Sequence, residues 1–186
     1  MEVEQQLTNK ELRKNIFVIV WPVFVEVLLG ALFGMVDMMM VGKVPGDTAA
    51  AVSAVGMTNQ PMFLGLSLIQ ALNVGGTAII ARYFGAKKYN RMGSILKHVM
   101  ILAMVFCVTP AAILMLIFAP EILSLMGADE TVINVGLNYF RIVTIGFIFQ
   151  SLSFTVTAAL RGIGETKIPM KNNIIANSCN VLGNAI

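Results

Sequence analysis

Two carboxylates, Glu26 and Asp37, lie inside the first long apolar stretch of the chain, residues 15–42. Ionisable side chains are unfavourable inside a membrane, where a central aspartate carries a penalty of about 2.5–3.5 kcal/mol on insertion scales. The two acids are eleven positions apart, which in an α-helix is about three turns and leaves them within roughly 20° on one face. This spacing favours a pair that faces a protein cavity and carries a proton or a cation.

A stripe of amide side chains lies near the end of the sequence, where asparagine recurs at three- or four-residue spacing: Asn173, Asn177, Asn180 and Asn184. Amide oxygens are hard ligands that suit Na⁺ or hold a carboxylic acid, and they are unfavourable against lipid. A purely structural stripe that bonds neighbouring helices is the alternative. The second apolar segment also has a polar face, and Gln150 is the strongly polar residue deep in the fourth segment. We predict that the residues lining a wet cavity include Glu26, Gln70, Asn73, Gln150 and Asn177.

The composition predicts an integral membrane protein. The 186 residues are 57% hydrophobic and only 12% charged, whereas soluble domains carry about 25% charged residues. A polar N-terminal segment, residues 1–14, precedes five apolar segments near 15–42, 52–81, 99–118, 132–160 and 169–186. A bilayer core takes about 20 helical residues, so the first four segments are long enough to cross. The fifth is still apolar at Ile186, which indicates an incomplete piece of a longer protein.

Basic residues alternate between the connections and predict the orientation. Eleven of the thirteen lie in the N-terminal segment, in the second connection or around the fourth: Lys10, Arg13, Lys14, Arg82, Lys87, Lys88, Arg91, Lys97, Arg161, Lys167 and Lys171. The positive-inside rule then places residues 1–14 in the cytoplasm. The sequence has no HExxH, GxSxG, Walker A or CxxC pattern, so we predict neither an enzyme nor a bound cofactor. No basic and aromatic run suggests nucleic acid.

Several segments resemble the multidrug and toxic compound extrusion (MATE) transporters. GMVDMMMVGKV, which contains Asp37, is similar to their first helix, and RYFGAKK (residues 82–88) to their connection between helices two and three. The segment ending in LRGIGETKIPM (residues 160–170) resembles their fourth helix and the loop after it. The resemblance implies an all-α polytopic bundle, with about five spans of a six-helix N-terminal lobe whose C-terminal half is missing from this sequence. It also implies antiport of drugs or toxic cations against H⁺ or Na⁺ across the plasma membrane.

The resemblance further implies an ion site in this lobe. In the family an aspartate on helix one acts with an asparagine and an aspartate on helix five, and here Asp37 and Asn180 match the first two. Asn184 stands in place of the second aspartate, so the site has one formal charge fewer. We therefore expect Asp37, Asn180 and Asn184 to form the coupling site, with Asp37 as a ligand of Na⁺ or, more in keeping with the lost charge, as a proton carrier.

Three other functions fit parts of the sequence. A related lipid-linked oligosaccharide flippase shares the architecture but needs a strongly basic cavity for pyrophosphate, and these spans contain no deep Lys or Arg. A membrane assembly protein that transports nothing does not account for acids and amides on inward faces. An intramembrane enzyme has the least support. The prediction is therefore a multidrug efflux antiporter with small-molecule drugs, the lipid bilayer and its own C-terminal half as partners.

Overall fold

A computed structural model describes residues 9–43 and 46–184, and these residues form helices and turns without a β-strand. The helices are α1 (Asn9–Val41), α2 (Thr48–Gly85), α3 (Tyr89–Leu102), a π-helical segment (Ala103–Val108), α4 (Thr109–Ile117), α5 (Ala119–Leu125), α6 (Glu130–Gly162) and α7 (Lys167–Asn184). In the described part, four helical stretches are long and apolar enough to cross a membrane: Glu11–Val41, Thr48–Gly85, Tyr89–Ile117 and Glu130–Gly162. The predicted all-α, multi-pass membrane fold is confirmed.

Several helices extend beyond the apolar segments that predicted them. Helix α3 begins at Tyr89, ten positions before the expected start near residue 99, and α2 continues to Gly85. His98 therefore lies within α3 and not at its start. Hydropathy marks only the part of a helix that suits the membrane, whereas backbone hydrogen bonds continue through the polar turns beyond it. Likewise α1 begins at Asn9, inside the predicted N-terminal segment, of which residues 1–8 lie outside the described residues.

The described residues divide into two units. The first lies within residues 1–37 and 164–186, and the second comprises residues 38–163. In the second unit, aspartates cap the two longest helices: Asp47 Oδ1 accepts a hydrogen bond from Ala50 N at 3.0 Å, and Asp129 Oδ1 accepts one from Val132 N at 2.8 Å. These side chains satisfy backbone N–H groups that have no partner in the first turn of a helix.

Helices α2 and α6 form the central pair of the second unit and run parallel. A Cβ atom on Gly136 would lie 2.6 Å from Ala54 Cβ, one on Gly65 would lie 2.8 Å from the Phe147 ring, and one on Gly162 would lie 3.0 Å from the Thr77 carbonyl oxygen. The contacts thus advance along both helices in the same direction. Small residues bring the two backbones close, which is how apolar helices associate where lipid removes the hydrophobic driving force.

The parallel arrangement separates the charges of the second unit. Asp47 and Asp129 begin α2 and α6, whereas Arg82 and Arg161 lie near the ends of these helices. One end of the pair is therefore acidic and the other basic. The alternation of basic residues predicts that the second and fourth connections lie on the same side of the membrane. Helices α2 and α6 lead into these connections, so they must run in the same direction, as the structure shows.

The third predicted span is not one regular helix. Pro110 has no N–H, and its ring would clash with the carbonyl group of Phe106 four residues earlier in an α-helix. The chain widens instead into the π-helical segment, where the Thr109 N–H bonds Met104 O, five residues back. Phe118 then leaves the α-helical conformation (φ −99°, ψ 27°) before Pro120 opens α5.

Candidate functional site

Helix α1 presents its two carboxylates on the face opposite an aromatic column. Phe17, Trp21 and Phe24 stack with ring centroids 5.7 and 5.8 Å apart, and all three are more than half exposed. Glu26 and Asp37 are half-buried and lie roughly 140–200° around the helix from that column. An exposed apolar column suits contact with lipid, so the geometry of α1 directs both acids away from it.

Glu26 contacts the amide stripe of the same unit. Asn173 Nδ2, on α7, donates a hydrogen bond to Glu26 Oε1, across 147 positions of the chain. This contact joins the carboxylate of Glu26 on α1 to the first member of the stripe. Asn173 belonged to the predicted stripe but not to the predicted site. Its place in the repeat marked it as one of several candidates, but no signal in the sequence pairs it with Glu26.

The predicted coupling site remains a prediction. Asp37 is half-buried and Asn180 is exposed, and both lie in the first unit together with Glu26 and Asn173. Asn184 ends α7, and its side chain lies outside the described residues. Asn177, predicted to line a cavity, is half-buried between the two neighbouring members of the stripe. Helix α7 thus carries amide groups over most of its length, which explains why it is absent from the four membrane-crossing candidates.

Gln150 lines a polar crevice in the second unit. The crevice has a volume of about 490 Å³, and its walls are Asn59, Gln60, Met62, Phe63, Leu66, Val143 and Gln150. Three carboxamides thus share a space with methionine and aromatic side chains. Such a surface hydrogen bonds polar groups of a ligand while adapting to its apolar parts. Asn59 shares the polar face of α2 with Gln70 and Asn73, whereas Gln60 lies about 100° around the helix from Asn59 and was not among the predicted cavity residues.

The other predicted cavity residues of α2 differ from one another. Gln70 is exposed. Asn73 is 5% exposed, and its Oδ1 atom has no hydrogen-bond partner among the described residues. A buried amide oxygen in this state is unfavourable, so it favours the presence of a donor such as an ordered water. No group of three or more His, Cys, Asp or Glu side chains in the described part of the chain is arranged to hold a metal ion.

Comparisons with known proteins identify the family of this chain. The chain belongs to the MatE family, whose model matches residues 22–186. It is 30% identical over 183 residues to the "Probable multidrug resistance protein YoeA" of Bacillus subtilis (strain 168), covering 96% of this chain and 38% of the relative. It is 27% identical over 176 residues to the "Probable multidrug resistance protein NorM" of Thermotoga maritima, with 92% and 36% covered.

A third relative carries a less specific name. The "Uncharacterized transporter YisQ" of Bacillus subtilis (strain 168) is 26% identical over 172 residues, covering 92% of this chain and 37% of the relative. The chain thus spans less than two-fifths of the length of these curated relatives. No solved structure matches it. The predicted family is confirmed.

Proposed function

We propose that the full-length protein is a secondary multidrug efflux antiporter that exchanges cationic amphipathic compounds for H⁺ or Na⁺. Membership of the MatE family carries the proposal, since two relatives bear the name multidrug resistance protein. The described residues add carboxylates on a half-buried face of a membrane-crossing helix. We propose that the protein lies in the plasma membrane with a cytoplasmic N-terminus.

Asp37 is the proposed coupling residue. Its neighbours in sequence, Val36 and Met38, are apolar. Amides such as Asn180 and Asn184 would ligate Na⁺ through their oxygens or hydrogen bond the protonated acid. An ion or proton that binds one conformation of the transporter more tightly than the other shifts the equilibrium between them, and this difference couples the gradient to drug export.

The polar crevice is the proposed contact for the drug. Its carboxamides are neutral, so they place no positive charge against a cationic compound, and Phe63 offers an aromatic face. The volume of about 490 Å³ lies within the range of roughly 300–1,000 Å³ that is usual for small-molecule sites. Remaining contacts, including a second lobe, would come from the part of the transporter that this sequence does not contain.

The test replaces Asp37 by asparagine in the full-length protein. Asp37→Asn keeps the side-chain shape and removes the ionisable group, so we expect loss of gradient-driven efflux with membrane insertion and some drug binding retained. Efflux of a fluorescent cation is measured in reconstituted vesicles under a proton gradient and, separately, a sodium gradient. Glu121→Gln is the matched control because Glu121 is an exposed acid of the short helix α5. Unchanged coupled efflux in Asp37→Asn would refute Asp37 as the coupling residue.

A further inference from the structure

A groove runs between α2 and α3 in the second unit, apart from the polar crevice. Its volume is about 540 Å³, and it is lined by Leu72, Gly75, Gly76, Ile79, Tyr83, Arg91, Ser94, Ile95, His98, Val99 and Leu102. The lining positions recur at three- or four-residue spacing on both helices, so the groove follows their long axes. Neither the proposed coupling site nor the proposed drug contact uses any of these residues.

The groove changes from polar to apolar along its length. Tyr83 and Arg91 lie at the end near the α2–α3 connection, whereas Leu72 and Leu102 lie at the other end. Each wall spans eleven positions, which is about 16 Å of helix. Half of a hydrocarbon core of about 30 Å has nearly the same length. The groove therefore matches one leaflet, with its polar end at the membrane surface.

The polar end is strongly basic. The chain has no acidic residue between Asp47 and Glu121, while five basic residues lie in the sixteen positions from Arg82 to Lys97. Arg91 belongs to the groove itself. Basic pockets of this kind between membrane helices suit anionic lipid head groups, and tyrosine is favoured at the same depth. A cationic drug would meet repulsion here.

Glycine keeps the groove open. A Cβ atom on Gly76 would lie 2.9 Å from both methyl groups of Val99, so Gly76 allows α2 and α3 to pack closely. A Cβ atom on Gly75 would have no atom within 4 Å. The space above Gly75 is thus available to an apolar chain, and a larger residue there would fill the groove without disturbing the helix contact.

We propose that this groove binds an anionic phospholipid, with the phosphate at Arg91 and Tyr83 and one acyl chain along Gly75, Ile79 and Leu102. The length of the groove, its apolar interior and its basic end together select this occupant. A free phosphate would use only the basic end, and a neutral phospholipid would lack the attraction to Arg91.

The test titrates the purified full-length protein with phosphatidylglycerol and with phosphatidylcholine, and native mass spectrometry measures the lipid bound. We expect phosphatidylglycerol to bind more tightly than phosphatidylcholine. Arg91→Gln should weaken the phosphatidylglycerol affinity about fivefold, which corresponds to about 1 kcal/mol for one basic residue near a membrane surface. Gly75→Leu should abolish the bound lipid. Lys97→Gln is the matched control, because Lys97 is an exposed basic residue of α3 outside the groove.

Three results would overturn the proposal. Equal losses in Arg91→Gln and Lys97→Gln would show that only the overall charge attracts lipid. Wild-type lipid binding in a Gly75→Leu variant that melts normally would show that the acyl chain lies elsewhere; if that variant does not fold, Ile79→Trp tests the same space. A cysteine at position 79 that cross-links to another segment of the protein would show that the groove is filled by protein. Competition by inorganic phosphate as strong as that by phosphatidylglycerol would likewise exclude an acyl chain.

Discussion

Helices α1 and α6 have the same length, 33 residues each. They differ in where their polar side chains find hydrogen-bond partners. In α6 the buried polar residues Thr144, Ser151 and Thr155 donate to carbonyl groups three or four positions earlier in the same helix, at 2.7–3.1 Å. In α1 the carboxylate of Glu26 accepts a hydrogen bond from Asn173, on another helix. Glu26 thus takes its hydrogen bond from another helix, whereas these three hydroxyl groups bond the backbone of their own helix; Ser151 Oγ also lies 3.8 Å from Met104 Sδ.

This difference distinguishes polar side chains that serve packing from polar side chains that can take part in transport. A hydroxyl group that bonds its own helix adds little to the attraction between helices and can be buried at any depth. A carboxylate that relies on another helix loses or gains its partner when the helices move. We infer that the buried hydroxyl groups of α6 serve packing, whereas the polar groups of α1 and α7 are the ones that a conformational cycle can use.

The largest effect is expected where α6 packs most closely. Gly136→Leu would place a branched side chain where a Cβ atom alone would lie 2.6 Å from Ala54 Cβ. Overpacking of this kind costs about 1–3 kcal/mol, so we expect a melting temperature several degrees lower for the purified protein. The milder Gly136→Ala should be partly rescued by Ala54→Gly.

Gly146→Leu supplies the control for this substitution. Gly146 is exposed on the same helix, and a Cβ atom there would have no atom within 4 Å. It should melt at or above the wild-type temperature, since leucine favours helix more than glycine does. If both variants lost the same stability, α6 would not be held by close packing against Ala54, and the contrast with α1 would fail.

A smaller effect, on transport rather than folding, is expected at the contact between α1 and α7. Glu26→Gln and Asn173→Ala should each reduce coupled efflux about threefold, in line with the roughly 0.6 kcal/mol of an average hydrogen bond between membrane helices. Both effects should be milder than that of Asp37→Asn. Asn172→Ala, at an exposed neighbouring position of α7, should have no effect.

The double variant distinguishes a working pair from two separate residues. Asn173→Ala removes the donor of this hydrogen bond, and Glu26→Gln replaces the charged acceptor by a weaker neutral one. The combined variant should therefore be no worse than Asn173→Ala alone. Additive losses in the vesicle efflux assay would mean that the contact does not matter for transport. The hydrogen bond of Glu26 would then serve packing, like those of the α6 hydroxyl groups.

The smallest effect concerns Thr77, a residue of α2 whose hydroxyl group reaches α6. Its Oγ1 donates to Ala158 O at 3.0 Å. Thr77→Val should lower stability by about 0.6 kcal/mol, whereas Thr144→Val should be nearly neutral because the Phe140 carbonyl keeps its backbone partner. Thermal unfolding of both variants measures the difference. A larger loss in Thr144→Val would contradict the distinction between bonds within a helix and bonds between helices.

The apolar segments were enough to predict the number and order of the membrane-crossing helices, because each crossing must exclude charge over about 20 residues. The charge alternation also anticipated that α2 and α6 run in the same direction. Helix ends were less predictable. Tyr89, Asn90 and Arg91 are too polar to signal a membrane segment, yet they begin α3 since their backbone groups continue the same hydrogen-bond pattern.

The candidate site was predictable by residue type and not by pairing. Glu26 and the asparagine stripe stood out because polar groups are rare in such segments, but nothing in the sequence says that Asn173 rather than Asn177 meets Glu26. Which asparagine contacts Glu26 depends on the position of α7 along the axis of α1. The crevice at Gln150 likewise required knowledge of the register between α2 and α6, which the small residues Ala54 and Gly136 determine only once the helices are together.

The π-helical segment Ala103–Val108 has a consequence for comparing this chain with its relatives. Buried positions of the third span fall at Ala103, Val108, Ala112, Met115, Ala119 and Leu123, so the first interval is five residues and the later ones are three or four. The wide turn thus absorbs one additional residue while the buried stripe stays on one side. If a relative is one residue shorter in this region, its buried positions should correspond to those of this chain only when the one-residue alignment gap is placed between residues 103 and 108.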